Sequence, residues 1–333
     1  ALGFPVNGDT VVIVEANQLA QPQGARQRTD LVRDPLHQTA VAQKDPGAGV
    51  HHGEALAVED VGQQAFGQGQ THGRGDTLPQ GTGGHLHAGG QRHLGVAGRA
   101  RAHLTKTADL SRLDTFKEGL FHVQDESSQL AVRVLDPKNG DKILDMCAAP
   151  GGTSFTIAER MENEGSLLSC DIYAHKIDLM EEGAERLGIS IMQCKVKDAA
   201  AEEESPKQFD RVLADVPCSG LGLMRKKPDI RLKKDGNEID SLTKIQREIL
   251  GNAAGYVKKG GVLVYSTCTL CRTENEKNLE WFLKDHPDFT AEDISEFLPE
   301  GWDTETAKKG YLTLLPHKTG TDGFFISKLR RKD

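Results

Sequence analysis

Aromatic residues make up only 5% of this 333-residue chain, and no apolar run approaches the roughly 20 residues that a bilayer span requires. The N-terminus also lacks a charged stretch followed by an apolar one, so a secretory signal is not expected and the cytoplasm is the expected compartment. Basic charge is short as well. Forty-one Lys and Arg face 49 Asp and Glu, a net −8, which excludes the broad positive surface of a general nucleic-acid coat protein. The six cysteines, at 147, 170, 194, 218, 268 and 271, are too dispersed over a mixed α/β pattern for a disulfide framework and read as reduced thiols.

The shortages are unevenly distributed. Residues 1–103 contain no Cys, Met, Trp or Tyr, and only one lysine (Lys44) and one isoleucine (Ile13), yet they hold 18 of the 36 glycines and 8 of the 12 histidines. Such a segment cannot bury much of a core. Only Asp9 to Ala16 in it reads as a strand. Two readings stay open: a low-complexity, disordered segment, or a stretch that is not a native domain, since this composition is what a GC-rich gene yields in a non-coding frame. His51, His52, His72, His85, His87 and His93 have neither Cys nor paired carboxylates beside them, so no metal site is expected. From residue 104 to 333 the chain turns Lys-, Glu- and Ile-rich and reads as one globular domain.

In this second part Lys142–Cys147 reads as an apolar strand, followed by a turn of small residues and a helix over Thr153–Met161. Strand, glycine turn and helix open a nucleotide-type α/β sheet. Strands at Ser166–Asp171, Ser190–Val196, Phe209–Val216 and Gly261–Thr267 alternate with helices at Ala174–Leu187, Ser241–Val257 and Thr273–Asp285. Tyr311–Leu315 and Phe324–Leu329 form a terminal hairpin. This alternation predicts a mostly parallel sheet with helices on both faces. Ligands of such sheets sit beyond the carboxyl ends of the strands, where Cys147, Asp171, Asp198, Asp215, Cys218 and Cys268 all fall.

The first loop lacks Gly-x-Gly-x-x-Gly, and no Gly-x-x-x-x-Gly-Lys-Ser/Thr occurs, so neither a dinucleotide nor a nucleoside triphosphate is favoured. Ala148-Ala149-Pro150-Gly151-Gly152 still lets a ligand approach the backbone. Asp171 ends the second strand about 20 residues on, where an acid can accept both hydroxyls of a ribose. A ribose without a pyrophosphate suggests S-adenosylmethionine, although Asp171 could instead cap the following helix. Cys218 and Cys268 add two soft nucleophiles. A thiol pair beside a methyl donor suits a reaction whose target is first activated covalently, while simple packing accounts equally for either cysteine alone.

These residues carry a family resemblance. LDMCAAPGG (144–152), the acid of SCD (169–171), DRVLADVPCSGLG (210–222), RKKPDIR (225–231), YSTCTL (265–270) with ENE (274–276), and TDGFFISKLRR (321–331) together resemble the RNA 5-methylcytosine methyltransferases of the nucleolar-protein/Sun group, and within it the bacterial members acting on 16S rRNA. The resemblance begins near Leu104. It implies a Rossmann-like class I S-adenosylmethionine-dependent methyltransferase domain that methylates carbon 5 of a cytosine in RNA, with neither DNA nor a membrane as partner. It further implies that Cys147, Ala148, Ala149, Pro150, Gly151, Gly152 and Thr153, with Asp171, Asp198 and Asp215, hold the cofactor. Cys268 corresponds to the nucleophile, Cys218 to the cysteine assisting release, and Asp215 also faces the base.

The family has lysine after the two glycines, where this chain has Thr153. The RNA is expected at Arg225, Lys226, Lys227, Arg231, Lys233 and Lys234, and at Arg330, Arg331 and Lys332. The alternative function is a fragment that binds cofactor or RNA without efficient turnover, because residues 1–103 do not resemble the RNA-binding regions that precede this domain in the family.

Overall fold

The computed structural model describes residues 110–202, 208–230, 236–302 and 304–333, together with the backbone of four short strands at 12–16, 56–57, 84–85 and 101–104. Strand β1 (Val12–Ala16) pairs antiparallel with β2 (Arg101–Leu104) and with β3 (Phe121–Val123), so a small three-stranded sheet crosses the compositional seam. The strand read at Asp9 to Ala16 is thus present over its last five residues. The histidines singled out above lie outside the residues whose side chains are described.

Helix α1 (Glu126–Leu135) was not among the expected elements, although it buries Leu130, Ala131, Val134 and Leu135 at helical spacing and leaves Glu126 and Arg133 partly exposed. Its start is nevertheless written locally. Asp125 accepts a hydrogen bond from the Ser127 backbone N–H at 2.9 Å, satisfying one of the orphan donors of the first turn. The chain then alternates as expected: β4 (Lys142–Asp145), α2 (Gly152–Arg160), β5 (Ser166–Asp171), α3 (Ala174–Arg186), β6 (Met192–Val196), β7 (Phe209–Asp215), α4 (Gly236–Tyr256), β8 (Val257–Thr267) and α5 (Glu276–Asp285).

The five strands β6, β5, β4, β7 and β8 lie side by side in that order and are all parallel. β11 (Phe324–Arg331) adds antiparallel to β8. Its other edge carries β9 (Phe289–Ala291) and β10 (Tyr311–Leu314), which completes eight strands. The β10–β11 pairing is the expected terminal hairpin.

Alternate residues along the strands supply two separate cores. Ile143, Leu213 and Val264 face a cluster with Leu130 and Leu135 of α1 and Ile157 of α2. Leu144, Val212 and Leu263 face the opposite cluster, with Ile249 and Leu250 of α4 and Phe282 of α5. This period-2 division is why the strands read as unbroken apolar runs. Strand order reverses between β4 and β7, so the loops after these two strands diverge and open a crevice at that edge. Among the described residues no helix is long and apolar enough to cross a membrane.

Candidate active site

The loop after β4 is folded by its own backbone. The Ala148 N–H donates to the Cys170 carbonyl at 2.8 Å, and the Gly151 N–H donates to the Ala148 carbonyl at 2.8 Å. Gly151 has φ 110°, and a Cβ there would come within 2.5 Å of the Phe155 ring, so only glycine fits. The peptide between Ala149 and Pro150 is cis. The turn thereby delivers α2 with its first N–H groups facing the crevice.

Carboxylates gather around this loop. Asp145, at the end of β4, is fully buried, and burial pushes its carboxyl up to about 7 although Thr153 and Ser154 both donate to it. Thr153 Oγ1 and Ser154 Oγ lie 2.7 Å and 2.8 Å from Asp145 Oδ2, while Asp145 Oδ1 has no hydrogen-bond partner. Asp215, at the end of β7, is likewise pushed up by burial, to about 6, and accepts a hydrogen bond from Ser266 Oγ at 2.8 Å. Burial, together with the charges of Asp145, Asp215 and Asp171, raises the Cys147 thiol well above its ordinary range. Asp145 and two of the three expected carboxylates, Asp171 and Asp215, therefore act on one point and keep the Cys147 thiol protonated, which argues against it as a nucleophile. Asp198 is the exception: it is exposed and its Oδ1 accepts the Ala200 N–H at 2.9 Å.

Asp171 is buried at the tip of β5. Its Oδ1 accepts the Tyr173 N–H at 3.1 Å and lies 3.7 Å from Lys176 Nζ. The carboxylate does organise the turn into α3, as a helix-cap reading anticipates. The hydrogen bond and the ion pair fall on the same oxygen, so the turn orients the carboxylate without occupying it.

Beyond β7 and β8 the two singled-out cysteines meet. Cys218 Sγ and Cys268 Sγ are 3.2 Å apart. The contact with Cys268 is the largest influence on Cys218, ahead of burial, and both hold its proton on. Two backbone hydrogen bonds fix the approach. The Gly222 N–H donates to the Cys268 carbonyl and the Gly323 N–H donates to the Gly222 carbonyl, each at 3.0 Å. A Cβ on Gly222 would lie 1.9 Å from the Gly323 carbonyl oxygen, which ties the SGLG and TDG segments into one site. Cys170 and Cys194 are pushed up to about 11, chiefly by burial, and stay with packing.

Several residues of the basic runs are engaged in ion pairs. Lys226 Nζ bridges Asp125 at 2.8 Å and Asp322 at 2.7 Å, and Arg225 reaches Asp322 at 3.4 Å, so these two cations fasten the loop to α1 and to the TDG segment. Lys227 is exposed, and Arg231, Lys233 and Lys234 lie outside the described residues. Arg330 pairs with Glu292 at 2.9 Å and Arg331 with Asp288 at 3.0 Å. In the β8–β11 register Thr267 faces Phe325 and Val262 faces Arg330, which places the tail run roughly 16 Å from the cysteine end of the sheet.

Residues 132–330 match the family model of the 16S rRNA methyltransferase RsmB/F. The chain belongs to that family. It is 47% identical over 220 residues to the probable ribosomal RNA small subunit methyltransferase B of Bacillus subtilis, covering 65% of this chain and 49% of that protein. It is 36% identical over 226 residues to the tRNA (cytosine(72)-C(5))-methyltransferase of Pyrococcus horikoshii, covering 68% of this chain and 56% of the relative. The crystal structure of NSun6 from Pyrococcus horikoshii with SFG superposes with a TM-score of 0.62 at 34% identity, covering 71% of this chain and 61% of that one. The fold is the Rossmann-like fold of S-adenosylmethionine-dependent methyltransferases. The chain spans about half the length of the bacterial curated relatives it matches.

Inspection of the sequence missed the residues that hold the cysteines. Ser219, Gln246, Thr269 and Glu274 form a buried polar cluster beneath both loops. The ENE segment stood as a motif without a role, and an acid six residues beyond Cys268 was the available signal.

Proposed function

We propose that the chain methylates carbon 5 of a cytosine in RNA, with 16S rRNA as substrate, using S-adenosylmethionine and a covalent bond from Cys268 to carbon 6. The observation that carries this reading is the 3.2 Å contact of Cys218 and Cys268 Sγ, beside a carboxylate at the end of the adjacent strand. Support for the cofactor comes from the NSun6 neighbour, whose SFG is an analogue of S-adenosylmethionine. When bound, S-adenosylmethionine supplies an electrophilic methyl group on a sulfonium.

The residues present fit that ligand. Asp145, Asp171 and Asp215 converge on a glycine turn, and among the described residues the one ion pair these carboxylates make is that of Asp171 with Lys176, which suits a positively charged group. Asp171 would hold the ribose hydroxyls, and the Cys147–Thr153 backbone, with Asp198 and Asp215, would line the rest.

Carbon 5 of cytosine is a poor nucleophile. Addition of the Cys268 thiolate to carbon 6 turns the ring into an enamine, and the electron pair then available at carbon 5 takes up the methyl group. Loss of the carbon 5 proton to a base returns the electrons to the ring and expels the Cys268 thiolate. Cys218 keeps its proton, so its S–H donates toward Cys268 Sγ and stabilises the departing thiolate. Asp215, pushed up to about 6, retains enough protonated form near neutrality to donate to the ring while it carries extra charge. The target base must leave its stack for a thiolate to approach its face.

The test is methyl transfer from labelled S-adenosylmethionine to unmodified 16S rRNA, followed by nucleoside analysis. Label in 5-methylcytidine is expected. Tight cofactor binding with no transfer would favour the non-catalytic fragment, and label in another nucleoside would overturn the carbon 5 chemistry.

A further inference from the structure

Glu274 is fully buried, and its carboxylate takes no part in the mechanism described above. Its two oxygens are nevertheless surrounded by donors from three separate elements. The Ser219 N–H donates to Oε2 at 2.8 Å and Ser219 Oγ donates to Oε1 at 2.5 Å. Gln246 of α4 donates from Nε2 to Oε2 at 2.9 Å, and the same amide nitrogen donates to the Pro217 carbonyl at 3.0 Å. Thr269 Oγ1 lies 3.2 Å from Oε1 and 2.8 Å from Ser219 Oγ.

Ser219 immediately follows Cys218, and Thr269 immediately follows Cys268. Each cysteine therefore has a chain neighbour bonded to the same buried acid. A buried carboxylate is costly unless such donors satisfy it, so the loops and the acid hold each other in place. Apolar packing alone would not define a sulfur–sulfur distance, whereas hydrogen bonds to one group fix direction as well as separation.

We propose that Glu274 is a positioning residue that sets the contact between Cys218 and Cys268 by clamping Ser219 and Thr269 to one carboxylate. This rests on the reading of the two cysteines as nucleophile and release group, and extends it to the group that aligns them. The groups facing Cys218 are Cys268, Glu274 and, from β8, the Tyr265 hydroxyl. The charge of Glu274 acts in the same direction as the Cys268 contact, keeping the Cys218 proton on.

The experiment uses the full chain and a bifunctional thiol reagent, dibromobimane, with mass mapping of the bridged Cys218–Cys268 peptide. It needs neither RNA nor cofactor. The parent should give the bridged peptide. Glu274→Ala should lose at least about tenfold in bridging yield, and at least about tenfold in kcat for methyl transfer, with the dissociation constant for S-adenosylmethionine within about twofold of the parent. Glu274→Gln keeps one acceptor oxygen on Ser219 N–H and Gln246, so it should restore much of the bridging while its Cys218 alkylation profile shifts to lower pH.

A folded Glu274→Ala protein that bridges as well as the parent overturns the proposal, as does a parent that does not bridge. Loss of bridging with methyl transfer unchanged supports the clamp and instead refutes the two-cysteine mechanism. If Glu274→Ala does not fold, Thr269→Val decides: it removes one donor of the clamp and should lower bridging severalfold, and unchanged bridging there overturns the proposal.

Discussion

Asp145 makes a prediction that needs no substrate. Its carboxyl is fully buried and pushed from its ordinary 3.8 up to about 7, chiefly by burial. A group whose proton is held more tightly in the folded state costs nothing below its unfolded value. The cost grows between the two values and is constant above the folded one. At about 1.4 kcal/mol per unit, the interval corresponds to roughly 4 kcal/mol, of which roughly 1.6 is present at pH 5 and about 2.5 is added between pH 5 and 8. Asp145→Asn removes the titration. Its amide oxygen can still accept from Thr153 and Ser154, and its nitrogen replaces Oδ1, which already lacks a partner. Any fixed cost of the amide cancels when the two pH values are compared. Urea unfolding should therefore show Asp145→Asn gaining about 2–3 kcal/mol on the parent between pH 5 and 8, a relative midpoint shift of about 1 M. Thr153→Lys, which puts an ammonium group beside the same carboxylate, should flatten the parent's pH dependence in the same sense. Stability curves for the parent and Asp145→Asn that run parallel from pH 5 to 8 would refute the reasoning.

Asp171→Ala should weaken S-adenosylmethionine binding by at least about tenfold in isothermal titration, since hydrogen bonds to a charged acceptor contribute roughly 1.5–3 kcal/mol each; an unchanged constant would leave Asp171 as a turn residue only. Cys218→Ala should permit addition yet slow release, so a protein–RNA adduct should accumulate on denaturing gels with unmodified substrate. An adduct trapped instead by Cys268→Ala would reverse the two roles. Lys226→Ala strips its cation from Asp125 and Asp322, and because the Lys226 side chain is 28% exposed while Asp322 is buried, the loss should be about 1–2 kcal/mol, between the values for exposed and buried pairs. A reduced salt slope of RNA binding at unchanged stability would return Lys226 to the RNA surface.

The parallel strands were legible because each is a short apolar run ending in a polar residue at one edge, a pattern that burial on two faces imposes. The same edge rule placed Asp171, Asp215, Cys218 and Cys268 before any coordinates did. Helix α1 was legible but not read: Leu130, Ala131, Val134 and Leu135 recur at helical spacing with Glu126 and Arg133 on the other side, yet the segment is short and precedes the first strand of the alternating pattern. The ion pairs of the basic runs were not legible. Charge composition records that Arg225 and Lys226 are cationic, but not that Asp125 and Asp322, about 100 residues away on either side, are folded against them. Glu274 was hidden similarly, since its partners come from α4 and from two loops that sequence spacing does not connect. Thr153 looked like a deficit beside the family's lysine, and in the fold its hydroxyl is committed to Asp145.

The account rests on Cys268 as the group that bonds to the base. RNA carrying 5-fluorocytosine cannot release a carbon 5 proton after methylation, so incubation with S-adenosylmethionine should leave a denaturation-resistant adduct whose tryptic mass maps to the Cys268 peptide and is absent in Cys268→Ser. An adduct on the Cys218 peptide, or methylation of ordinary cytosine by Cys268→Ser, would contradict it.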